Sequence, residues 1–461
     1  MNILDILHKN KQINQWQSGL NKSTRQLLLG LSGTSKSLVM ATAYDCLAEK
    51  IIIVTASQNE AEKLVADLTA IIGSENVYNF FTDDSPIAEF IFASKERIQS
   101  RIDSLNFLTD TTRSGIIVVS MAACRVLLPN PVTYKNAKIQ IEIGQEFEVD
   151  TLVKKLVNIG YKKVSRVLTQ GEFSQRGDIL DIFDMQADSP YRLEFFGDEI
   201  DGIRIFDVDS QKSLENLDKV IIAPASDILL SSEDYKRARQ KIQIAIEHSS
   251  IEDQQSYLRE VLADMQAEYR HPDLRKFLSF LYENSWTLLD YLPKSSPLFL
   301  DDFHKIADKQ AQFEKEVAEL LTDDLQNSKS VSSLQYFAST YSELRKYKPA
   351  TFFSSFQKGL GNVKFDALYQ FTQYPMQEFF HQIPLLKEEL TRYAKSKNTV
   401  IIQASSESSL HTLQKALQEY NIQLPSYPSD KLVEGQQQVT IGQFTAGFHL
   451  MDEKLVLITE K

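Results

Sequence analysis

Apolar residues follow two different rhythms along this chain. From Arg25 to Leu128, short continuous apolar runs alternate with amphipathic stretches of helical period: RQLLLG, KSLVMATAYDCLAE, KIIIVTAS, QNEAEKLVADLTAIIG. NVYNFF, a long helical stretch through Phe90 and Ile98, and GIIVVS continue the series. Strand-length apolar runs separated by helices predict a parallel sheet buried on both faces. Between about Asn136 and Ser226 strands dominate. KIQIEIG, YKKVSRVL, GDILDIF, YRLEFF and DGIRIFDV read as strands, the last two forming a hairpin that turns at GDEI, and DTLVKKLVNIG is the one helix. Helical period returns after Ser231 with EDYKRARQKIQIAIEH, SYLREVLADMQAEYR and LRKFLSFLY, followed by a strand, SPLFLDD, and a helix, HKIADKQAQFEKEVAELL. The polar stretch QNSKSVSS (326–333) reads as a surface loop. From Leu385 onward LLKEELTRYAKSK, NTVIIQAS, SSLHTLQKALQEY, NIQL, QVTIG and EKLVLITEK make another small α/β pattern.

The predicted fold is therefore α/β and divided in four. Residues 1–137 are the first part of a parallel-sheet domain, 138–222 an inserted small mixed α/β domain, 223–370 the second part of the discontinuous first domain, and 375–461 a small separate α/β domain. The strand in SPLFLDD completes the first sheet. The chain stops just after a strand with no capping segment, which points to a piece of a longer protein.

Composition narrows the function classes. With 43% hydrophobic and 24% charged residues the chain is of globular type. Apolar runs such as Ile51 to Val54 fall far short of the roughly 18 residues that span a membrane. The start, MNILDILHKN, lacks the marks of a secretion signal, so the expected location is cytoplasmic. Two cysteines, Cys46 and Cys124, and singly scattered histidines predict neither disulfide nor metal site. The net charge of −12 disfavours nucleic-acid binding by the whole surface and suits a positively charged protein partner better.

One motif promises chemistry. GLSGTSKS places Gly30, Gly33, Lys36 and Ser37 as in the phosphate loop G-x-x-x-x-G-K-[ST], at the end of the first strand. Position 35, glycine in the motif, is Ser35. Serine adds a Cβ where backbone N–H groups close on phosphate, and would pay about 1–2 kcal/mol if a left-handed conformation were needed. Hydrolysis also needs a magnesium-binding aspartate at a strand end. LFLDDFHK offers Asp301, Asp302 and His304, similar to the helicase sequence D-E-x-H with its glutamate shortened to Asp302. Both nucleotide motifs are degenerate, so the loop is expected to serve the fold and not catalysis.

The most distinctive stretch is GEFSQRGDILDIFDMQADSPYRLEFFGDEIDGIRIFD (171–207). Alternation along YRLEFF sends Leu193 and Phe195 to a core face and Arg192, Glu194 and Phe196 to the other, with Arg176 on a neighbouring segment. Arginine, glutamate and an aromatic ring together have the composition of an interaction hot spot. An ordinary solvated strand face with one incidental phenylalanine has the same pattern, and alternation does not decide between them.

This stretch closely resembles the second domain of the bacterial excision-repair protein UvrB and of the transcription-repair coupling factor family, Mfd. TLLDYLPKSSPLFLDDFH (287–304), VVSMAACRVLLP, the phosphate loop and the domain order extend the resemblance over roughly residues 1–370, and the segment after about residue 375 is similar, more weakly, to the third domain of the coupling factors. FFTDDSPIAEFIFASKERIQSRIDSLNFL lacks the tyrosine-rich hairpin of UvrB, which favours the coupling-factor family. The resemblance implies a degenerate, helicase-type phosphate-loop domain without catalysis. It also implies an inserted domain that docks onto UvrA through Arg176, Arg192 and Phe196, the arginines pairing with acidic groups and the ring filling an apolar pocket. No cofactor is implied for this chain, ATP and magnesium belonging to motor domains beyond it. RNA polymerase and DNA would be contacted by downstream domains, and a C-terminal domain would mask the UvrA face. The alternative carried from sequence is an active UvrB-like ATP-dependent DNA repair helicase.

Overall fold

In the computed structural model, which describes residues 1–47, 49–91, 94–267, 271–356, 362–376, 379 and 382–460, a seven-stranded sheet forms the centre. Its order is Ala367–Gln370, Arg25–Leu29, Ala350–Ser354, Leu298–Asp301, Lys50–Thr55, Gly115–Ser120, Val77–Phe80, and every neighbouring pair is parallel. Four of these strands precede the inserted region and three follow it. The sequence reading expected one late strand; Ala350–Ser354 and Ala367–Gln370 were missed because they are short runs, with no helix among the described residues between them to set a βαβ rhythm.

Burial on both faces explains the continuous apolar runs. Ile51 and Ile53 point into one core with helices Thr34–Cys46 and Gln58–Ile72, while Ile52 and Val54 point into the other with helix Lys95–Thr109. The long helix expected through Phe90 is instead a 3₁₀ turn, Pro86–Glu89, ahead of Lys95–Thr109. Pro86 lacks an N–H to give a helix interior, so it sits at a start. The expected direct path from strand to helix crosses Phe92 and Ala93, which lie outside the described residues; between Phe80 and Lys95 the described residues contain no strand.

The inserted region leaves and returns on two antiparallel legs, Ile139–Glu142 and Lys219–Ile222. Beyond them lies a six-stranded sheet ordered Ser213–Leu217, Glu199–Phe206, Tyr191–Phe196, Ile179–Ile182, Glu172–Arg176, Lys162–Lys163. Helix Val149–Asn158 covers its inner face, where Leu152 and Leu156 share a core with Leu180, Leu193 and Ile203. The predicted hairpin forms, turning at Gly197 with φ +64°. YKKVSRVL was over-read: only Lys162–Lys163 is strand.

Where the chain leaves and re-enters the first domain, four charges interlock, Arg101, Glu89 and Asp227 buried and Arg275 partly so. Arg101 grips Glu89 (2.8 and 2.6 Å) and reaches Asp227 (3.0 Å); Arg275 reaches Glu89 (2.9 Å) and Asp227 (2.7 Å). Glu89 precedes the insertion and Asp227 follows it, so the network ties the two halves of the domain together. The QNSKSVSS segment is only partly superficial: Ser330 and Val331 are buried, and Gln254 bonds the Ser330 carbonyl at 2.6 Å. Its polar composition hid that anchor. Cys46 and Cys124 are free thiols, and no helix among the described residues is long and apolar enough to cross a membrane.

The last sheet is mixed: Gln373–Pro375, Phe448–Leu450, Leu455–Thr459, Thr399–Ala404, Gln437–Ile441. NIQL, expected to be a strand, is not one, and Phe448–Leu450 was missed. Helices Ile383–Lys395 and Glu407–Glu419 cover one face. On the other, Ile401, Phe448, Leu450, Leu455 and Leu457 join the core of Leu31, Leu38 and Trp16. This domain has its own sheet but shares a core with the first.

The network gives an acid-lability prediction. Asp227 and Glu89 resist protonation because, against the cost of burial, Arg275 and Arg101 hold Asp227 and Arg101 holds Glu89 in the charged form. Folded-state pKa values below the unfolded ones contribute stability that is fully present above the normal carboxylate range and is lost progressively as pH falls from that range through the depressed folded values. Asp227→Asn is expected to destabilise by about 3–5 kcal/mol at neutral pH, since it breaks a buried ion pair. In urea unfolding followed from pH 7 to pH 3, the gap from wild type should shrink below about pH 4; a pH-independent gap would exclude this origin.

Candidate functional sites: a closed phosphate loop and an open sheet face

The strand Arg25–Leu29 delivers its chain to Gly30 (φ +88°) and Gly33 (φ +57°), and helix Thr34–Cys46 begins directly after. Both glycines are required. A Cβ on Gly30 would lie 2.1 Å from the Phe371 carbonyl oxygen, and one on Gly33 would crowd Ala446 at 3.1 Å. Ser35 differs from expectation: it lies in the helix, outside the left-handed region, and carries no backbone strain. Its single hydroxyl hydrogen is shared between the Ser32 carbonyl (2.9 Å) and Gln373 Oε1 (2.5 Å), and Gln373 also receives the Ser32 N–H (2.9 Å). The serine is a fastener between the loop and the strand that opens the last domain.

The other groups of the loop are engaged too. Lys36 Nζ donates to Asp301, the strand-end aspartate, in a close ion pair. Ser37 donates to Asp67 Oδ2 (2.9 Å). Asp67 in turn accepts from the Thr445 N–H (2.8 Å) and hydroxyl (3.0 Å), and the Ala446 N–H donates to Thr34 Oγ1 (3.0 Å). Thr445 and Ala446 belong to the last domain, so its loop is seated against the phosphate loop. Burial pushes the Asp67 carboxyl up, opposed by hydrogen bonds from Thr445 and Ser37. The remaining cleft, about 390 Å³, is also lined by Glu60, Lys63, Asp302 and Lys305.

Of the D-E-x-H-like residues, Asp301 and Asp302 line this cleft with Lys36, and His304 does not. Asp301 is buried against Lys36; Asp302, at φ +58°, holds the position before the following helix without a side-chain capping bond and lies 3.6 Å from Lys305; His304 points along that helix to Asp308 (2.9 Å). Sequence reasoning missed Asp67, Gln373, Thr445 and Ala446, which are joined to the loop only by the tertiary fold. Among the described residues no group of three or more His, Cys, Asp or Glu is placed to hold a metal.

The second site is the outer face of the six-stranded sheet. Register puts Ser174, Asp181, Arg192 and Arg204 in one row and Arg176, Ile179 and Glu194 in the next. Leu193 and Phe195 are in the core, while Phe196 is 82% exposed at the hairpin end. Ile179, which sequence reasoning missed, is 38% exposed and diagonal to Phe196. Arg192 is not a free cation: it grips Asp181 (2.7 and 2.9 Å), bonds Gln211 (3.2 Å) and covers the buried Phe206 ring at 4.3 Å. Arg204 pairs with Glu194 at 2.5 Å, and Arg176 donates twice to the Ser165 carbonyl. The face offers an unsatisfied apolar ring within a rim of internally paired charges. Such a centre gains most from burial by a partner, and its rim gives orientation.

Comparisons with known proteins follow this division. Residues 139–227 match the UvrB interaction domain and residues 393–461 the MFD D3 domain. The chain is similar along all its length to the transcription-repair-coupling factor of Bacillus subtilis (strain 168), with 30% identity, and to that of Staphylococcus aureus (strain Mu50 / ATCC 700699), with 27%. It spans about 40% of the length of these relatives. Among solved structures, an XPD helicase aligns over 95% of this chain and 79% of its own at 13% identity and a TM-score of 0.24, too distant to bear on function.

Asp67→Ala should release the Thr445 loop without touching the hydrophobic core. Hydrogen exchange at the Thr445 and Ala446 amides is expected to accelerate, with a stability loss of about 1–3 kcal/mol. Unchanged exchange at both amides would show that the loop is held by packing alone.

Proposed function

We propose that this chain, the UvrB-like amino-terminal region of a transcription-repair-coupling factor, is a non-catalytic adaptor that recruits UvrA to stalled transcription for nucleotide excision repair. Phe196 carries the reading: at 82% its ring is the most exposed of the large apolar side chains on this sheet, ahead of Leu214 and Ile179. Phe196 enters an apolar pocket on UvrA, Ile179 widens the contact, and Arg176 and Arg192 orient it. Arg192 has a structural duty as well, because it neutralises Asp181 and shields Phe206. RNA polymerase and DNA contacts, and the ATP-driven translocation of the whole protein, are assigned to domains beyond this chain, one of which masks the Phe196 face at rest.

The nucleotide site takes no part. Its lysine, hydroxyl and loop neighbours are committed to Asp301, Asp67 and the last domain, so a triphosphate would have to displace the Asp301 carboxylate from the cation and the Asp67 carboxylate from the hydroxyl. That barrier is independent of position 35.

Phe196→Ala is expected to abolish UvrA pull-down while shifting stability by no more than about 0.5 kcal/mol, as for an exposed side chain. Arg192→Ala should weaken binding and also destabilise the domain by about 1.5–3 kcal/mol, the worth of hydrogen bonds between charged groups. Undiminished pull-down by Phe196→Ala would refute the adaptor reading. Calorimetry with Mg-ATP is expected to show no binding at tens of micromolar, in wild type and in Ser35→Gly alike; binding restored by the glycine would place the defect at position 35 and reopen the enzyme reading.

A further inference from the structure

Five lysine and arginine side chains are buried among the described residues: Lys50, Arg97, Arg101, Arg125 and Lys276. Four of them face a carboxylate: Arg97 with Asp83 (3.2 Å), Arg101 with Glu89 (2.6 Å), Arg125 with Glu314 (3.9 Å), Lys276 with Asp324 (2.8 Å). Lys50 has no carboxylate within 4 Å among the described residues. It opens the strand Lys50–Thr55, at the end of the parallel sheet opposite the phosphate loop. Its ammonium donates to the carbonyls of Leu108 (2.9 Å) and Asp110 and lies over the Phe107 ring at 5.2 Å. An ammonium has three donors, and the third has no acceptor among the described residues. A cation taken out of water without a counter-charge is expensive to keep.

Lys50 borders a cleft of about 480 Å³ that Arg113 and Lys135 also line. Glu49 is the one acidic side chain in that lining. Leu108, Val132 and Leu292 supply apolar wall. Two polar atoms in the same lining are also unsatisfied among the described residues: the hydroxyl of the fully buried Ser296 and one carboxylate oxygen of Glu49. Burial pushes the Lys50 pKa down, and Lys138, Lys135 and Arg113 add to it against the opposing charge of Asp110; a bound anion would relieve that strain on the charge.

We infer that this cleft binds a small anion, a phosphate or carboxylate group that also carries a hydrogen-bond donor. The charge meets the free N–H of Lys50 and the guanidinium of Arg113, and the donor satisfies Ser296 or Glu49. A volume within the usual range for small-ligand sites agrees with this. The inference stands apart from the adaptor reading, because it concerns the opposite end of another sheet.

Calorimetric titration of the whole chain with inorganic phosphate, and separately with N-acetyl-L-aspartate, at constant ionic strength, tests it. Saturable one-to-one binding of at least one probe is expected, weakened about tenfold or more by Lys50→Met. The exposed double change Arg113→Gln with Lys135→Gln should weaken it severalfold and decides the matter if Lys50→Met does not fold. Lys36→Met, in the other cleft, should bind as wild type does. Phosphate alone binding assigns a phosphoryl ligand, and the aspartate derivative alone a carboxylate. Saturation by neither probe, or equal affinity in wild type and the double variant, overturns the site.

Discussion

The contact between Lys36 and Asp301 organises the centre of this molecule. A phosphate loop concentrates a lysine, a hydroxyl and backbone donors at one strand end, and such a concentration must be answered by negative charge. Here the protein supplies the charge itself. Asp301 answers the lysine from a strand two places away in the sheet, and Asp67 answers the Ser37 hydroxyl from the neighbouring helix. Asp67 has acceptor capacity left after Ser37, and Thr445 takes it up. The charge balance of an inherited loop thereby becomes the attachment point of a whole domain, reinforced by the core that Phe448 and Leu450 share with Leu38.

Rigidity at one place makes exposure affordable at another. The inserted sheet is anchored through its two legs and through the Arg101, Glu89, Asp227 and Arg275 network at their root. On the sheet itself, Arg192 with Asp181 and Arg204 with Glu194 hold their rows in register without help from a partner. Phe196 is therefore presented by a hairpin with little freedom left to lose, and association need not be offset by ordering the surface that makes it.

The fold was legible where burial is symmetrical. Ile51 to Val54 and Ile116 to Val119 are buried on both faces, so their continuous apolar runs announce central parallel strands. Alternation likewise placed Leu193 and Phe195 inside and Phe196 outside, because the inserted sheet is covered on one side only. What escaped was whatever depends on partners far along the chain. Ala367–Gln370 is an edge strand with exposed alternate residues, and nothing local separates it from a loop. Asp67 reads as one more acidic residue on a helix, and Thr445 as one more loop threonine, until tertiary structure sets them beside Ser37. Arg192 shows the opposite error: its type and face were legible, yet its commitment to Asp181 is a cross-strand pairing that depends on register.

Position 35 does not act as the motif reading expected. The missing glycine was expected to disable the loop through backbone strain, yet the serine sits unstrained at the start of a helix and ties the loop to Gln373. Glycine there would remove one bond to Gln373, those of Ser32 remaining, and leave Lys36 against Asp301, Ser37 against Asp67 and Ala446 over Gly33 unchanged. The motif departs from its consensus at one residue, but the carboxylates that engage its lysine and hydroxyl lie at positions the motif does not contain. What engages the loop is therefore set by the tertiary fold, through the internal carboxylates and the seated loop, and not by the residue at the consensus position.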